Sequence, residues 1–258
     1  MIPDVYVLFK DGLPATRNLY DAWNGFKTRG HRVFPFDVSD IDNLSTTKED
    51  IVAAGIPVIH KTWKRLGVEV PTPINYPTCL QPFMQRSIKQ LTVGDIRKLN
   101  WPSLVDVVCH TTKHENPTPI FIKPYDMAKS FTGFLLSGTK DLFKIAHLDY
   151  DVKLWASTPV TFLTEWRVYV LKGEILGIGH YTGSPTLFPK IETIEKMIGT
   201  YQASGTAPVA YSLDVADMGN STTGLVEINF AYALGNYSLP STLYAKLMEA
   251  AWFEVVNK

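Results

Sequence analysis

A carboxylate and a carboxamide stand two residues apart in the otherwise apolar segment GLVEINF, residues 224–230. Alternate side chains of a β-strand point to the same face of the sheet. Glu227 and Asn229 therefore share one face, and the residues that alternate with them face an apolar layer. The pattern predicts a strand that is core on one side and presents oxygen atoms on the other.

A second acid lies on the strand predicted just before it, in VAYSLDVADM (209–218). A hairpin centred near Asn220 and Ser221 would place Asp214 opposite Glu227, with Cβ atoms about 5 Å apart. Two such carboxylates repel by roughly a few kcal/mol, and a divalent cation turns that repulsion into binding. Oxygen-only ligands favour Mg²⁺ or Mn²⁺ over zinc. The alternative is a pair of exposed charges near a turn.

A lysine and an anion-binding loop are predicted in PIFIKPYDMAKSFTGFLL, residues 119–136. Lys123 ends an apolar strand, and the proline after it holds its backbone extended. The loop that follows offers ammonium, hydroxyl and backbone N–H groups of the kind that bind phosphates. Its candidate residues are Lys129, Ser130, Thr132 and Gly133. The alternative for Lys123 is a solvated surface residue.

An arginine occupies the middle of a third strand, TEWRVYV (164–170). Glu165, Arg167 and Tyr169 share one face of it. Burying an arginine is unfavourable unless an anion meets its guanidinium. The anion is either a substrate phosphate or, in the alternative interpretation, a cross-strand partner, Glu165 or Glu174.

The bulk composition narrows the class of protein. The chain has 258 residues, with 25 basic and 25 acidic side chains. It therefore lacks the positive excess that dominates nucleic-acid affinity. No apolar run reaches the length of a membrane-spanning helix, and the first residues do not form a signal peptide. Two cysteines give no disulfide framework, so we expect a cytoplasmic protein.

The N-terminal third predicts a small parallel α/β unit. Strands are predicted at 4–9 and 31–36, with a helix over 15–30 between them. Thr46 with Glu49 has the form of a capping box, which predicts a helix through Ala54. The segment IPVIH (56–60) would then be a third strand.

The rest of the chain predicts an α+β arrangement built from hairpins. Residues 67–90 are proline-rich and indicate a connector. Thr92 with Asp95 opens a short helix, and two β-rich runs meet at Lys172-Gly173. Further helices are predicted over 190–205 and from Ser241 to about Val256.

The order of these features resembles the ATP-grasp superfamily, and within it a compact clade of amide-ligase-like proteins. FIKP is similar to the family's strand lysine, and KSFTG stands where the family has its phosphate-covering loop. EWRVYVLKGEILGIGHY is similar to the strand pair after the adenine linker. VEIN, with Asp214 before it, is similar to the metal motif.

The resemblance implies a domain organisation and a fold. Residues 1–90 would be a pre-ATP-grasp α/β domain with its connector, and 91–258 the ATP-grasp domain. The latter would divide into a small subdomain, 91–155, and a large one, 156–258, with the nucleotide between them.

The resemblance also implies roles for the matched residues. Lys123 would contact the α- and β-phosphates of ATP, and Arg167 a phosphate or an acyl phosphate, so these two are the expected catalytic residues. Backbone groups of 153–160, which include Trp155 and Ala156, would meet the adenine. The remaining roles are Glu165 on the ribose, Arg86 and Lys89 on phosphate or substrate, and Asp214, Glu227 and Asn229 on Mg²⁺ or Mn²⁺.

The implied activity is ATP-dependent ligation of a carboxylate to an amine through an acyl phosphate. The substrates would be small molecules or peptides, with no nucleic-acid or membrane partner; the sequence leaves the oligomeric state open. Two alternatives remain. A loop with a single glycine and the bulky Phe131 suggests a nucleotide-binding interaction module without catalysis. The same site would also suit phosphoryl transfer to a hydroxyl.

Overall fold

The computed structural model describes residues 2–98, 101–109, 119–126 and 130–258. The strands in these ranges are β1 Val5–Lys10, β2 Leu13–Pro14, β3 Val33–Phe36, β4 Ile51–Ala53, β5 Ile88–Thr92, β6 Ile120–Pro124, β7 Phe134–Leu136, β8 Lys153–Ser157, β9 Thr164–Leu171, β10 Glu174–Gly183, β11 Ala210–Asp217 and β12 Thr223–Phe230. The α-helices are α1 Arg17–Thr28, α2 Ile56–Arg65, α3 Val93–Lys98, α4 Trp101–Cys109, α5 Ile191–Ala203 and α6 Ser241–Val256. None of these helices has the length and apolar character needed to cross a membrane.

The chain forms two compact units. The first combines residues 1–83 with 162–258, and the second consists of 84–161. The predicted α/β and α+β elements are thus grouped by packing in a different way from the predicted domain limits at 90/91 and 155/156, which remain a prediction.

The first unit contains a small sheet centred on β1. Strands β3 and β4 both pair with β1 in parallel, as the sequence predicts for an α/β unit. Val5 and Val7 are fully buried in this sheet. The β-branched residues of β1 therefore form the core that the N-terminal helices cover.

Two predicted elements of this sheet are wrong, because strand and helix are exchanged. Residues 51–53 form the buried strand β4 rather than the end of a helix, and IPVIH begins helix α2 rather than a strand. Pro57 lies in the first turn of α2, where the missing N–H is tolerated, and Ile59 and Trp63 are buried one turn apart. The capping chemistry instead closes a turn, in which Asp50 accepts hydrogen bonds from Thr47.

The first unit also contains a four-stranded sheet in the order β10-β9-β11-β12. Both predicted hairpins are confirmed. Lys172 and Gly173 turn the first with φ of 53° and 82°, and Asn220 and Ser221 turn the second with φ of 52° and 58°. Positive φ at both central residues matches the twist of the adjoining strands.

Helix α5 covers one face of this sheet. Tyr201 of α5 meets Tyr211 of β11 edge to face, with ring centroids 5.2 Å apart. Ile194 and Ile198 are buried as predicted, whereas Ile191 is 37% exposed. The opposite face of the sheet is left for the polar residues of β9, β11 and β12.

Helices α1 and α6 pack closely because α1 has a glycine at the contact. A Cβ atom at Gly25 would lie 1.9 Å from the carbonyl oxygen of Ser241. Glycine is therefore required where the start of α6 crosses α1. The predicted extent of α6 agrees with the structure.

The second unit is a sheet in the order β5-β8-β6-β7 with α3 and α4 on its apolar face. Ile120, Ile122, Leu154 and Ala156 contribute to this core. The predicted cap of α3 is confirmed, because Asp95 accepts from the Thr92 N–H at 2.9 Å and its own N–H donates to the Thr92 hydroxyl at 3.0 Å.

Candidate functional site

The polar face of the large sheet is built around a buried ion pair. Arg167 of β9 lies directly opposite Asp214 of β11 in the strand register. Arg167 Nε donates to Asp214 Oδ1 at 2.7 Å, and Nη2 donates to Oδ2 at 2.6 Å. The residues are 8% and 1% exposed, so the pair is shielded from water. Of the anions weighed for Arg167, the structure supplies Asp214, and neither Glu165 nor Glu174.

Glu227 and Asn229 complete a cluster around this pair. Asp214 is opposite Glu227, as the hairpin register predicts, and the predicted pairing holds from Tyr211 to Asp214. A β-bulge beyond Asp214 shifts the later pairs by one residue. Asn229 Nδ2 donates to Asp214 Oδ2 at 3.2 Å and to Glu227 Oε1 at 3.1 Å. The three predicted metal ligands therefore lie together.

Charge and burial oppose each other in this cluster. Burial raises the pKa of Asp214, against the hydrogen bonds and charge of Arg167, and the charges of Glu227 and Glu165 raise it further. Burial would lower the pKa of Arg167, but its hydrogen bond and charge interaction with Asp214 outweigh this and raise it. Arg167 therefore stays cationic in a site rich in carboxylates.

A short segment after β12, residues 235–239, crosses this face, and we name it the strap. The Gly235 carbonyl accepts from Arg167 Nη1 at 3.3 Å and from the Tyr169 hydroxyl at 3.1 Å. The Tyr237 N–H donates to the Tyr169 hydroxyl at 2.7 Å. Burial raises the pKa of Tyr169 to about 12, so its hydroxyl remains a donor. The strap is thus bonded to both polar residues in the centre of β9.

Two tyrosines form a wall beside Arg167. The rings of Tyr181 and Tyr237 stack with centroids 4.9 Å apart. The Arg167 guanidinium lies 5.2 Å from the Tyr237 ring. Tyr181 donates to Glu165 Oε2 at 2.6 Å, and its pKa is raised by burial and by the charge of Asp214. Glu165 is thus on the same sheet face as Arg167, as predicted, with its carboxylate held by Tyr181.

The second unit carries the predicted lysine. Lys123 of β6 is opposite Trp155 of β8, and the two share the sheet face away from the apolar core. Gly133 packs against this strand, since a Cβ there would lie 3.1 Å from Lys123 Cβ. Ser130 and Thr132 are exposed, and Lys129 lies outside the described residues.

Three further predicted contacts lie elsewhere in the second unit. Ala156 of β8 has its side chain in the core, so that only its backbone is available for the predicted role. Arg86 Nη1 donates to the Met84 carbonyl at 3.0 Å. Lys89 pairs with Ala156 and therefore lies on the sheet face opposite Lys123. The structure does not bring Lys89 together with Lys123.

The sequence of this chain matches a family model for an ATP-grasp domain, family 2 of its clade, over residues 83–247. The match covers well over half of the chain. The protein is a member of this ATP-grasp family. The family assignment agrees with the resemblance drawn from the FIKP, EWRV and VEIN segments. No curated protein matches the sequence.

Solved structures similar to this ATP-grasp protein include several ligases. D-alanine–D-alanine ligase from Bacillus anthracis aligns with a TM-score of 0.56 at 13% identity, covering 100% of this chain and 97% of that one. The macrocyclase MdnC bound with precursor peptide MdnA from Microcystis aeruginosa MRC gives 0.52 at 11%, covering 97% and 100%. The ATP-grasp ligase PsnB complexed with a minimal precursor gives 0.51 at 13%, covering 97% and 100%. At these identities the likeness shows the fold.

The donor set of this ATP-grasp protein suits a hard cation. Within the described ranges no group of three or more His, Cys, Asp or Glu side chains could hold a metal ion. The cluster instead combines two carboxylates with a carboxamide, all oxygen donors of the type that binds Mg²⁺. Asn229 Nδ2 now bridges the two carboxylates, the place that a cation would take once the amide turned its oxygen inward.

Several residues at this site had no sequence signal. Asn18 and Asp21 of α1 bond to Asn236 of the strap, more than two hundred residues away. Gly177 and Gly179 of β10 are opposite Tyr169 and Arg167. The spacing of these two glycines in LGIG is the one feature from which a close backbone approach to β10 could have been predicted.

Proposed function

We propose that this chain is an ATP-dependent carboxylate–amine ligase that forms an amide bond through an acyl phosphate. The observation that carries the proposal is the buried Arg167–Asp214 pair beside Glu227 and Asn229 on one sheet face. It concentrates a fixed cation and oxygen donors where a phosphoryl group would be transferred. Family membership supports the use of ATP.

Arg167 retains donors for such an anion. A guanidinium has five N–H groups. Among the hydrogen bonds of the described residues, three of these are used, two on Asp214 and one on Gly235. The other two would donate to the oxygens of the transferred phosphoryl group. Because Asp214 and the strap already hold the guanidinium, little reorganisation would be needed when charge develops.

The oxygen donors would provide the second part of the charge balance. Asp214, Glu227 and Asn229 would hold Mg²⁺, with Mn²⁺ a substitute of the same ligand preference. The bound cation would neutralise phosphate charge that otherwise repels the substrate carboxylate. Lys123 would contact the α- and β-phosphates.

The remaining proposed nucleotide contacts follow from the family. Glu165 would meet the ribose, and the backbone at Trp155 and Ala156 would meet the adenine. The loop groups would cover the phosphates, and Arg86 would assist them. The loop residues concerned are Lys129, Ser130, Thr132 and Gly133.

The chemistry has two steps. A carboxylate oxygen of the first substrate attacks the γ-phosphorus, the bond from that phosphorus to the β–γ bridging oxygen breaks, and ADP leaves. The amine nitrogen then attacks the acyl carbon, phosphate leaves, and the amine loses a proton to solvent. Arg167 would stabilise the phosphoryl oxygens in both steps. No side-chain nucleophile is required.

The substrates are proposed to be a carboxylate and an amine borne by small molecules or peptides. The similar structures include D-alanine–D-alanine ligase and two proteins with precursor peptides bound. They support both substrate sizes.

The test is ATP turnover with a panel of carboxylic acids, with and without amines, and with hydroxylamine to trap an acyl phosphate as a hydroxamate. We expect ADP and hydroxamate in the wild type and at least about a hundredfold loss in Glu227→Gln, the scale of losing one charge-stabilising group. Glu195→Gln, on the exposed side of α5, is the matched control. A phosphoester in place of free phosphate would instead indicate transfer to a hydroxyl.

A second candidate is a nucleotide-binding module that does not turn ATP over. It is favoured by one observation: both Asp214 oxygens already accept hydrogen bonds from Arg167, and one also accepts from Asn229. If the biological activity of the protein survives Asp214→Asn combined with Glu227→Gln, catalysis is not its function.

A further inference from the structure

A single peptide group links helix α1 to Arg167. Its carbonyl, from Gly235, accepts from Arg167 Nη1 at 3.3 Å and from the Tyr169 hydroxyl at 3.1 Å. Its N–H, from Asn236, donates to Asn18 Oδ1 at 2.9 Å. Asn18 therefore fixes the orientation of the peptide whose other end bonds to the guanidinium.

The side chain of Asn236 fixes the rest of the strap. Asn236 is 8% exposed. Its Nδ2 donates to Asp21 Oδ2 at 2.8 Å and to the Leu239 carbonyl at 3.0 Å, and its Oδ1 accepts from the Leu239 N–H at 3.0 Å. The carboxamide thus closes the strap on itself and ties it to α1.

The strap approaches the sheet because β10 lacks side chains beneath it. A Cβ at Gly179 would lie 1.7 Å from the Tyr237 carbonyl oxygen, and one at Gly177 would lie 2.7 Å from Leu239 Cδ1. These glycines are the register partners of Arg167 and Tyr169. The strap therefore lies directly over the two residues that it bonds to.

We propose that Asn18 and Asn236 are positioning residues that orient Arg167 toward the transferred phosphoryl group. This inference rests on the proposed function, in which Arg167 meets that group. Asp214 fixes the Nε and Nη2 edge of the guanidinium, and the Gly235 carbonyl fixes Nη1. Together they aim the two remaining N–H bonds. Without the Asn18 acceptor, the 235–236 peptide turns and the Nη1 edge loses its partner.

The experiment compares two nucleotides by isothermal titration calorimetry: Mg²⁺-AMPPNP, which has the γ-phosphoryl group, and Mg²⁺-ADP, which lacks it. Asn18→Ala should weaken AMPPNP binding about fivefold and ADP binding less than about twofold, with an unchanged circular dichroism spectrum. Asn18→Asp keeps the acceptor oxygen near the start of α1, where negative charge is favourable, and should restore AMPPNP affinity. Asn24→Ala, on an exposed position of the same helix, is the matched control.

Two further variants make the test specific for Arg167. Gly179→Ala should displace the strap and reproduce the selective AMPPNP loss. In an Arg167→Lys background, which removes the planar fork, Asn18→Ala should have no further effect.

The outcomes separate the inference from the proposed function. If the wild type binds neither nucleotide, the proposed function fails. If the wild type binds both and Asn18→Ala leaves the ratio of the two affinities unchanged, or if it weakens both equally, the positioning role is wrong and the proposed function stands.

Discussion

Replacement of Asp214 by asparagine tests how strongly the central ion pair depends on its partner. The variant keeps the side-chain shape but leaves the Arg167 cation without its carboxylate. The Arg167 and Asp214 side chains are 10% and 2% exposed, so solvent does not replace the lost charge. Breaking one partner of such a buried pair destabilises by about 3–5 kcal/mol.

That loss is a large part of the total, since domains are stable by roughly 5–15 kcal/mol. At about 2 °C per kcal/mol for a chain of this size, it corresponds to a fall in Tm of about 6–10 °C. Replacing both partners with apolar side chains, Arg167→Met with Asp214→Leu, removes the stranded charge. We expect the double variant to recover most of the lost stability, with no recovery of nucleotide turnover.

The assay is urea unfolding followed by circular dichroism, with the slope on denaturant checked for constancy. Wild type, both single variants and the double variant form a thermodynamic cycle. A loss below about 1 kcal/mol in Asp214→Asn would show that the pair is not desolvated. A double variant as unstable as the sum of the singles would show that packing, and not the unpaired charge, causes the loss.

Three other predictions concern packing and pH. Gly25→Ala should lower stability by about 1–3 kcal/mol because its Cβ meets the start of α6, whereas Gly199→Ala, in α5 with open space around it, should raise stability by about 0.5–1 kcal/mol; urea unfolding measures both. Burial and then the charge of Lys64 lower the pKa of His60 from 6.5, so stability present above that pH should fall on acidification, and His60→Gln should flatten the Tm difference between about pH 7.5 and 5.0. The backbone N–H of Thr92 lowers the pKa of Asp95 from 3.8; the stability this provides should be lost as pH falls below that value, and Asp95→Ala should abolish that part of the acid unfolding curve.

Most of the fold could be predicted because its hairpins and amphipathic helices are local. Lys172-Gly173 and Asn220-Ser221 adopt the positive φ that two-residue turns require. The exchange of β4 and α2 was not readable in the same way. Strand β4 has only three residues, and a proline in the first turn of α2 is compatible with either structure. Only pairing with β1, which lies far earlier in the chain, decides between them.

The site was predictable where it depended on alternation along one strand. Glu227 and Asn229, or Glu165 and Arg167, share faces because of strand geometry alone. The partner of Arg167 was not predictable, because the register of β9 against β11 joins residues 47 apart in sequence. The strap's bonds to Asn18 and Asp21 span still longer separations. No sequence period reports contacts of that kind.

The division of the chain also determines the order in which its parts can be completed on the ribosome. Residues 84–161 are contiguous, so their core is available as soon as they emerge. Residues 1–83 must wait, because their partner segment is 162–258. Helix α1 is made early, yet Ser241, which contacts Gly25, and Asn236, which bonds to Asn18, are made almost last. The contacts that would orient Arg167 therefore form only near the end of synthesis, after the lysine-bearing unit has its complete sequence.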